Sequence, residues 1–174
     1  MLFLCKPFQE IKVITFQTIR DKYIEIVRLQ REEKERLQNI VGLIAKNFEG
    51  SLELEQTCWG YPGQNPTENY VFVAAIKDGE KSKVQLHDLL PDADGILSFF
   101  IGLTVDKSPV AHPKLNVIIP LKLLRDGNGF TLVIGSGEFE TNLSEKPALP
   151  ELEAVSEALK QAVIRDLESY IPVR

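Results

Sequence analysis

The chemistry this sequence could most simply support is that of a thiol beside an imidazole. Cys58 stands mid-chain, and the chain has two histidines, His87 and His112. A thiolate nucleophile would need one of them as its base, and that pairing depends on spatial adjacency, which spacing alone does not supply. The plain reading of Cys58 is a packed side chain. His87-Asp88 with Asp92 and Asp94-Gly95 presents alternating carboxylates before a glycine, as calcium loops do. The register fails: Gly95 at the sixth position of such a loop puts Leu90 at the first and Ile101 at the twelfth, where an acid and a bidentate glutamate belong. An exposed turn with aspartates capping backbone groups is expected instead. Gly135-Ser136-Gly137 lacks the outer glycines of a nucleophile elbow, with Ile134 and Glu138 in their places. Gly127-Asn128-Gly129 has Leu132 in place of the third glycine of a dinucleotide fingerprint and precedes strand-like sequence. Both read as turns. No catalytic residue, metal ligand or cofactor is expected from these spacings.

The segment with the most binding character is Cys58-Trp59-Gly60-Tyr61-Pro62-Gly63-Gln64-Asn65-Pro66, which carries the single tryptophan. A Gly- and Pro-rich loop bearing Trp and Tyr presents large rigid rings at low entropic cost, to a partner or over a pocket. The structural alternative is that Trp59 and Tyr61 fold inward and cap an open end of a sheet. Trp59 and Tyr61 are the candidate binding residues, and His112-Pro113 reads as a loop without comparable content.

Composition narrows the partners. The chain has 174 residues, 44% hydrophobic and 26% charged, ordinary for one globular domain. Twenty-five acids against 20 Lys plus Arg give a formal charge of −5, which repels phosphate backbones, so no nucleic acid partner is expected. The longest apolar pieces, such as Ile96 to Leu103, fall short of the ~18 residues of a membrane span. Met1 to Cys5 is apolar, but Lys6 and Pro7 stop it short of a signal-peptide core. Two cysteines, Cys5 and Cys58, do not make a disulfide framework. A cytoplasmic protein without a membrane contact is the expectation.

These segments must be positioned by a definite set of elements. Residues 15–49 read as helical: Phe16, Ile19, Tyr23, Ile26 and Val27 mark one face, and Leu37, Ile40, Val41, Ile44 and Phe48 mark it again. Gln30 to Arg36 is charged and interrupts the stripe. Either one helix of about 34 residues spans some 50 Å, or two shorter helices bend at the charges; no Gly or Pro between Phe8 and Val41 forces the bend, which favours one. Thr18 with Asp21 resembles a capping box, and Gly50 a stop. Residues 51–143 are strand-like. Tyr70 to Ile76 and Lys83 to Leu89 flank Asp78-Gly79, Ile96 to Leu103 reads as a central strand covered on both faces, and Asn116 to Leu124 and Phe130 to Ile134 flank the turn at Asp126 to Gly129. Glu138 to Leu143 follows, and Ile11 to Phe16 is an optional further strand. Pro120 argues for an edge or a bulge, because proline donates nothing to a ladder. Residues 150–171 form a last helix, opened by Pro150-Glu151 with apolar residues at threes and fours. The fold class is α+β: a long N-terminal amphipathic helix or helix pair, a five- to six-stranded mainly antiparallel sheet, and a C-terminal helix on one face.

Two functional readings follow, with an enzyme of another type as a third. In the first, the chain is a non-enzymatic interaction module, adaptor or chaperone-like, in which the helix pairs with a copy of itself or a protein partner through the Gln30 to Phe48 surface. At the level of fold it is similar to small acidic α+β dimers that serve as secretion chaperones or adaptors. In the second, the order of elements resembles the helix-grip proteins. That resemblance implies a small apolar ligand enclosed between the sheet and the last helix.

Overall fold

The computed structural model describes residues 13–172. Helix α1 (Phe16–Ser51) comes first, followed by strands β1 (Cys58–Trp59), β2 (Glu68–Asn69), β3 (Val71–Lys77), β4 (Glu80–Lys83), β5 (Leu97–Val105), β6 (Leu115–Asp126), β7 (Gly129–Ile134) and β8 (Phe139–Ser144). Helix α2 (Leu149–Glu168) closes the chain. Backbone proximity divides it into two compact units, one ending at Glu33 and one from Lys34 to Arg174.

In the first unit, α1 opens one turn before the expected capping box. The Thr15 hydroxyl oxygen accepts from the Thr18 N–H at 3.2 Å, so Thr15 is the cap. The optional strand at Ile11 to Phe16 lies partly outside the described residues; Val13 to Thr15 have no strand structure. Lys22–Glu25 and Arg28–Glu32, each at 2.7 Å, pair charges at helical spacing.

The larger unit is built on a six-stranded antiparallel sheet in the order β4-β3-β5-β6-β7-β8. Alternation decides its two faces. Leu97, Phe99, Ile101 and Leu103 of β5, with Val117, Ile119, Leu121 and Leu123 of β6, join Phe130, Leu132 and Ile134 of β7 in one buried cluster. Leu37, Ile40, Val41, Ile44 and Phe48 of α1, and Leu152, Val155, Leu159 and Val163 of α2, cover that face. The Gln30 to Phe48 surface expected to serve a partner therefore gives its apolar members to the core. Ser156, 1% exposed, donates to Asn47 Oδ1 at 2.7 Å and ties the two helices together.

Three local outcomes differ from the sequence reading. The strand expected at Lys83 to Leu89 ends at Lys83, and a 3-10 turn, Leu86–Asp88, follows. Gln38 of α1 donates to the Leu89 carbonyl at 2.8 Å, and Leu89 is buried, so this segment leaves the ladder to dock on the helix. A Cβ on Gly42 would lie 2.9 Å from Leu86 Cδ1, so the glycine admits that approach. α1 runs through Gly50 to Ser51, and α2 stops at Glu168, leaving Tyr170 63% exposed. Pro120 lies within β6, the fourth strand of six, yet faces an edge: β7 pairs only with Leu121 to Asp126. Its missing N–H points past the end of β7, where no ladder needs it.

β5 is the central strand expected, though doubly covered only toward its C-terminal end. A Cβ on Gly102 would fall inside the Phe72 ring, which closes the outer face there. Lys83 Nζ lies 4.5 Å from the centre of that ring, and Lys81 Nζ 5.0 Å from Phe100.

At the start of α2, Ala148 has no side-chain acceptor, and Glu151 supplies the cap from inside the helix. Its carboxylate accepts from the Ala148 N–H at 2.7 Å, the Ser144 N–H at 2.8 Å and the Ser144 hydroxyl at 2.8 Å. Those donors, Ala148 first, hold its pKa below the ordinary 4.5. A depressed carboxyl stabilises the fold above its unfolded pKa and loses that contribution as pH falls through the folded value. Glu151→Gln is expected to cost about 0.5–2 kcal/mol at neutral pH and to flatten the acid limb of urea midpoint against pH.

Candidate functional site

Trp59 and Tyr61 come together with residues that the sequence reading passed over. β1 and β2 form a two-stranded ribbon, Cys58 opposite Asn69 and Trp59 opposite Glu68. The loop between them is drawn tight by Thr67 N–H donating to the Trp59 carbonyl at 3.2 Å. Gly60 eases that approach, because a Cβ there would lie only 3.0 Å from the Asn65 carbonyl oxygen. Tyr61 stacks on His112, ring centroids 4.9 Å apart at 14°, and Trp59 meets Tyr61 edge-on at 5.9 Å and 71°. His112 belongs to the β5–β6 loop and precedes Pro113 through a cis peptide bond. Tyr61 is 58% exposed and Trp59 half-buried, so the platform shows one ring and shelters the other.

Beneath the rings lies a charged anchor. Lys114, its side chain 3% exposed, places Nζ 2.6 Å from Asp106 Oδ2, 5.1 Å from the Trp59 ring centre and 5.6 Å from that of Tyr70. Lys114 also donates to the Pro109 carbonyl at 3.2 Å, and the Tyr70 hydroxyl donates to Asp106 Oδ2 at 2.8 Å. The bond from Lys114 holds the Asp106 carboxyl below its ordinary value, against the opposing effect of desolvation. The same bond raises Lys114, while burial and then the Asp106 bond raise Tyr70. All three shifts favour the protonation states these groups ordinarily hold at neutral pH. The geometry of the anchor sets the rings in place.

Cys58 donates to Asn69 Oδ1 at 3.0 Å, while His112 is engaged by Tyr61 and His87 lies 3.5 Å from Asp88. No hydrogen bond joins the thiol to either imidazole among the described residues. Asp92 Oδ1 accepts from the Asp94 and Ile96 N–H groups, each at 2.9 Å, which is the backbone-capping turn expected there. Lys114 and Asp106 escaped the sequence reading, and His112 and Tyr70 entered it only as a loop residue and the start of a strand, because Tyr70 and Asp106 lie 36 positions apart and meet only through strand pairing.

Lys114→Met would leave the Asp106 carboxylate sheltered without its cation. The variant is expected to melt lower than the parent at neutral pH. Asp106 contributes stability above its ordinary value of 3.8 and loses it as pH falls through its lower folded value. The gap between variant and parent should therefore narrow in acid, as thermal melts across pH will show.

A second concave feature lies on the larger unit, between β6, the Gly135 to Phe139 turn and α2, with a volume near 300 Å³. Comparison with known proteins gives no identity to either feature: no family model, no curated protein and no solved structure matches this chain.

Proposed function

We propose that this protein is a non-enzymatic interaction module that works as a homo-oligomer, with the first half of α1 as its docking element. The observation that carries this reading is the apolar stripe of that half, displayed to solvent. Phe16 is 71% exposed, Ile19 56%, Tyr23 66%, Ile26 42% and Val27 45%. They recur at three and four residues, the spacing of a helix face that meets another helix. Most helical stability in proteins comes from packing an amphipathic face, which this half does not do within the single chain.

The occupant we favour is a second copy. Pairing two such stripes, with Ile24 and Leu29 at their flanks, would remove seven large apolar side chains per copy from water. One patch serving both partners gives a closed two-fold pair. The ion pairs at Lys22–Glu25 and Arg28–Glu32 use acids and bases within one helix, so pairing need not leave them stranded. Leu121, Leu132, Val155 and Leu159, each at most 1% exposed, fill the space between sheet and α2, which favours this reading over an enclosed apolar ligand. Sedimentation equilibrium of the full chain tests it: a concentration-dependent dimer is expected. A monomer at the highest soluble concentration would overturn it.

A further inference from the structure

The groove beside β6 is bordered by a strand edge that no strand pairs with among the described residues. Main-chain groups on a strand point alternately to its two sides. Gly135 N–H donates to the Pro120 carbonyl at 2.8 Å, so Pro120 faces the β7 side. Ile118 and Asn116, two and four residues earlier, face the same side. β7 ends at Ile134, opposite Leu121, and among the described residues no strand continues along β6 beyond it. Each of these two residues therefore presents one N–H and one C=O outward, four groups at strand spacing.

Pro120 closes one end of this edge, and the stretch before it carries none of the usual defences. Natural sheets blunt open edges with charges, prolines or bulges. β4, at one margin of the sheet, carries Glu80, Lys81 and Lys83. Leu115 to Ile119 carries no charge at all. Beside it the groove has an apolar lining of Ile118, Phe139, Ala158 and Ala162, and the charged residues Glu138, Arg165 and Asp166 also border it. Ala158 and Ala162 are one helical turn apart, and their small side chains leave the space that a larger residue would fill. Its volume, near 300 Å³, admits one or two aliphatic side chains.

We propose that this edge binds an extended peptide segment of another protein, added as a strand alongside Leu115 to Ile119 with an aliphatic side chain set between Phe139 and the two alanines. Free main-chain pairs at strand spacing select a strand over a helix, since a helix has spent its own donors and acceptors internally. The specificity is for alternation: aliphatic residues at every second position, the others facing solvent. The proposal uses none of the residues of the α1 stripe, so it is tested independently of self-association through that stripe.

The test is selection of random decamer peptides displayed on phage against the full chain, followed by synthesis of an enriched peptide. The expected peptide has aliphatic residues at alternate positions and slows amide exchange at Asn116 and Ile118. N-methylation of its alternate backbone nitrogens, which leaves the protein untouched, should weaken binding by about tenfold or more through lost ladder bonds. Ala162→Phe, which fills the groove, should weaken it comparably. Failure to enrich any such peptide, or binding that survives both changes, overturns the proposal. So does slow exchange at Ile118 that depends on protein concentration without peptide, because the edge would then belong to a second copy.

Discussion

Ile19→Asp combined with Tyr23→Asp is expected to convert a dimer into a monomer while leaving the melting of the larger unit unchanged. Both residues sit mid-stripe, and both are more than half exposed in the single chain. In the chain alone the substitutions cost only the modest helix propensity of aspartate. In a paired helix they bury two unpartnered carboxylates per copy, each costing several kcal/mol. With a tenfold change for every 1.4 kcal/mol, dimer affinity should fall by at least about a hundredfold. The buried apolar cluster begins at Leu37, so the sheet and its two covering helices keep every core contact. Sedimentation reads the first effect and a thermal melt the second. A dimer that survives both aspartates would place self-association elsewhere. An equal loss of thermal stability would mean that the stripe serves the fold and not a partner.

The fold was legible where a single periodicity rules a segment. The stripe of α1, the unbroken apolar run of β5 and the turn at Asp126 to Gly129 each state their element locally, and an α+β fold with a mainly antiparallel sheet of five or six strands follows from their order. Legibility failed where a tertiary partner outbid the local pattern. Val84 to Leu89 alternates well enough for a strand, but Gln38 of α1 takes its carbonyls and Leu89 enters the core. Pro120 pointed correctly to an edge, but the edge is local to half of one interior strand, because β7 is half the length of β6. The candidate site was legible only as rings. Trp59 and Tyr61 are unusual residues in an unusual loop, whereas Lys114 and Asp106 are common residues whose importance depends on shelter. The same limit applied to α1: the repeated stripe was visible, but which half of it the core would take was not.

Phe99→Ala is expected to be among the most costly single truncations in the chain, and its contrast with Trp59→Ala bears on the site. Phe99 is 1% exposed on β5, the third of six strands, directly opposite Leu121 of β6. Ordered strands and helices surround it, so the structure can collapse only partly into the void, and the loss should be about 3–5 kcal/mol. For a domain of this size that lowers Tm by roughly 6–20 °C. Trp59 is larger, yet it lies half-buried on a two-residue strand, and its buried Nε1 meets no acceptor among the described residues. That indole keeps an unsatisfied donor in place, a cost that core packing alone would select against. If Trp59→Ala melts close to the parent, the ring is held for what it presents beside Tyr61. A loss matching that of Phe99→Ala would make the ring a plug for the end of the sheet, and the binding role of Trp59 and Tyr61 would fall with it.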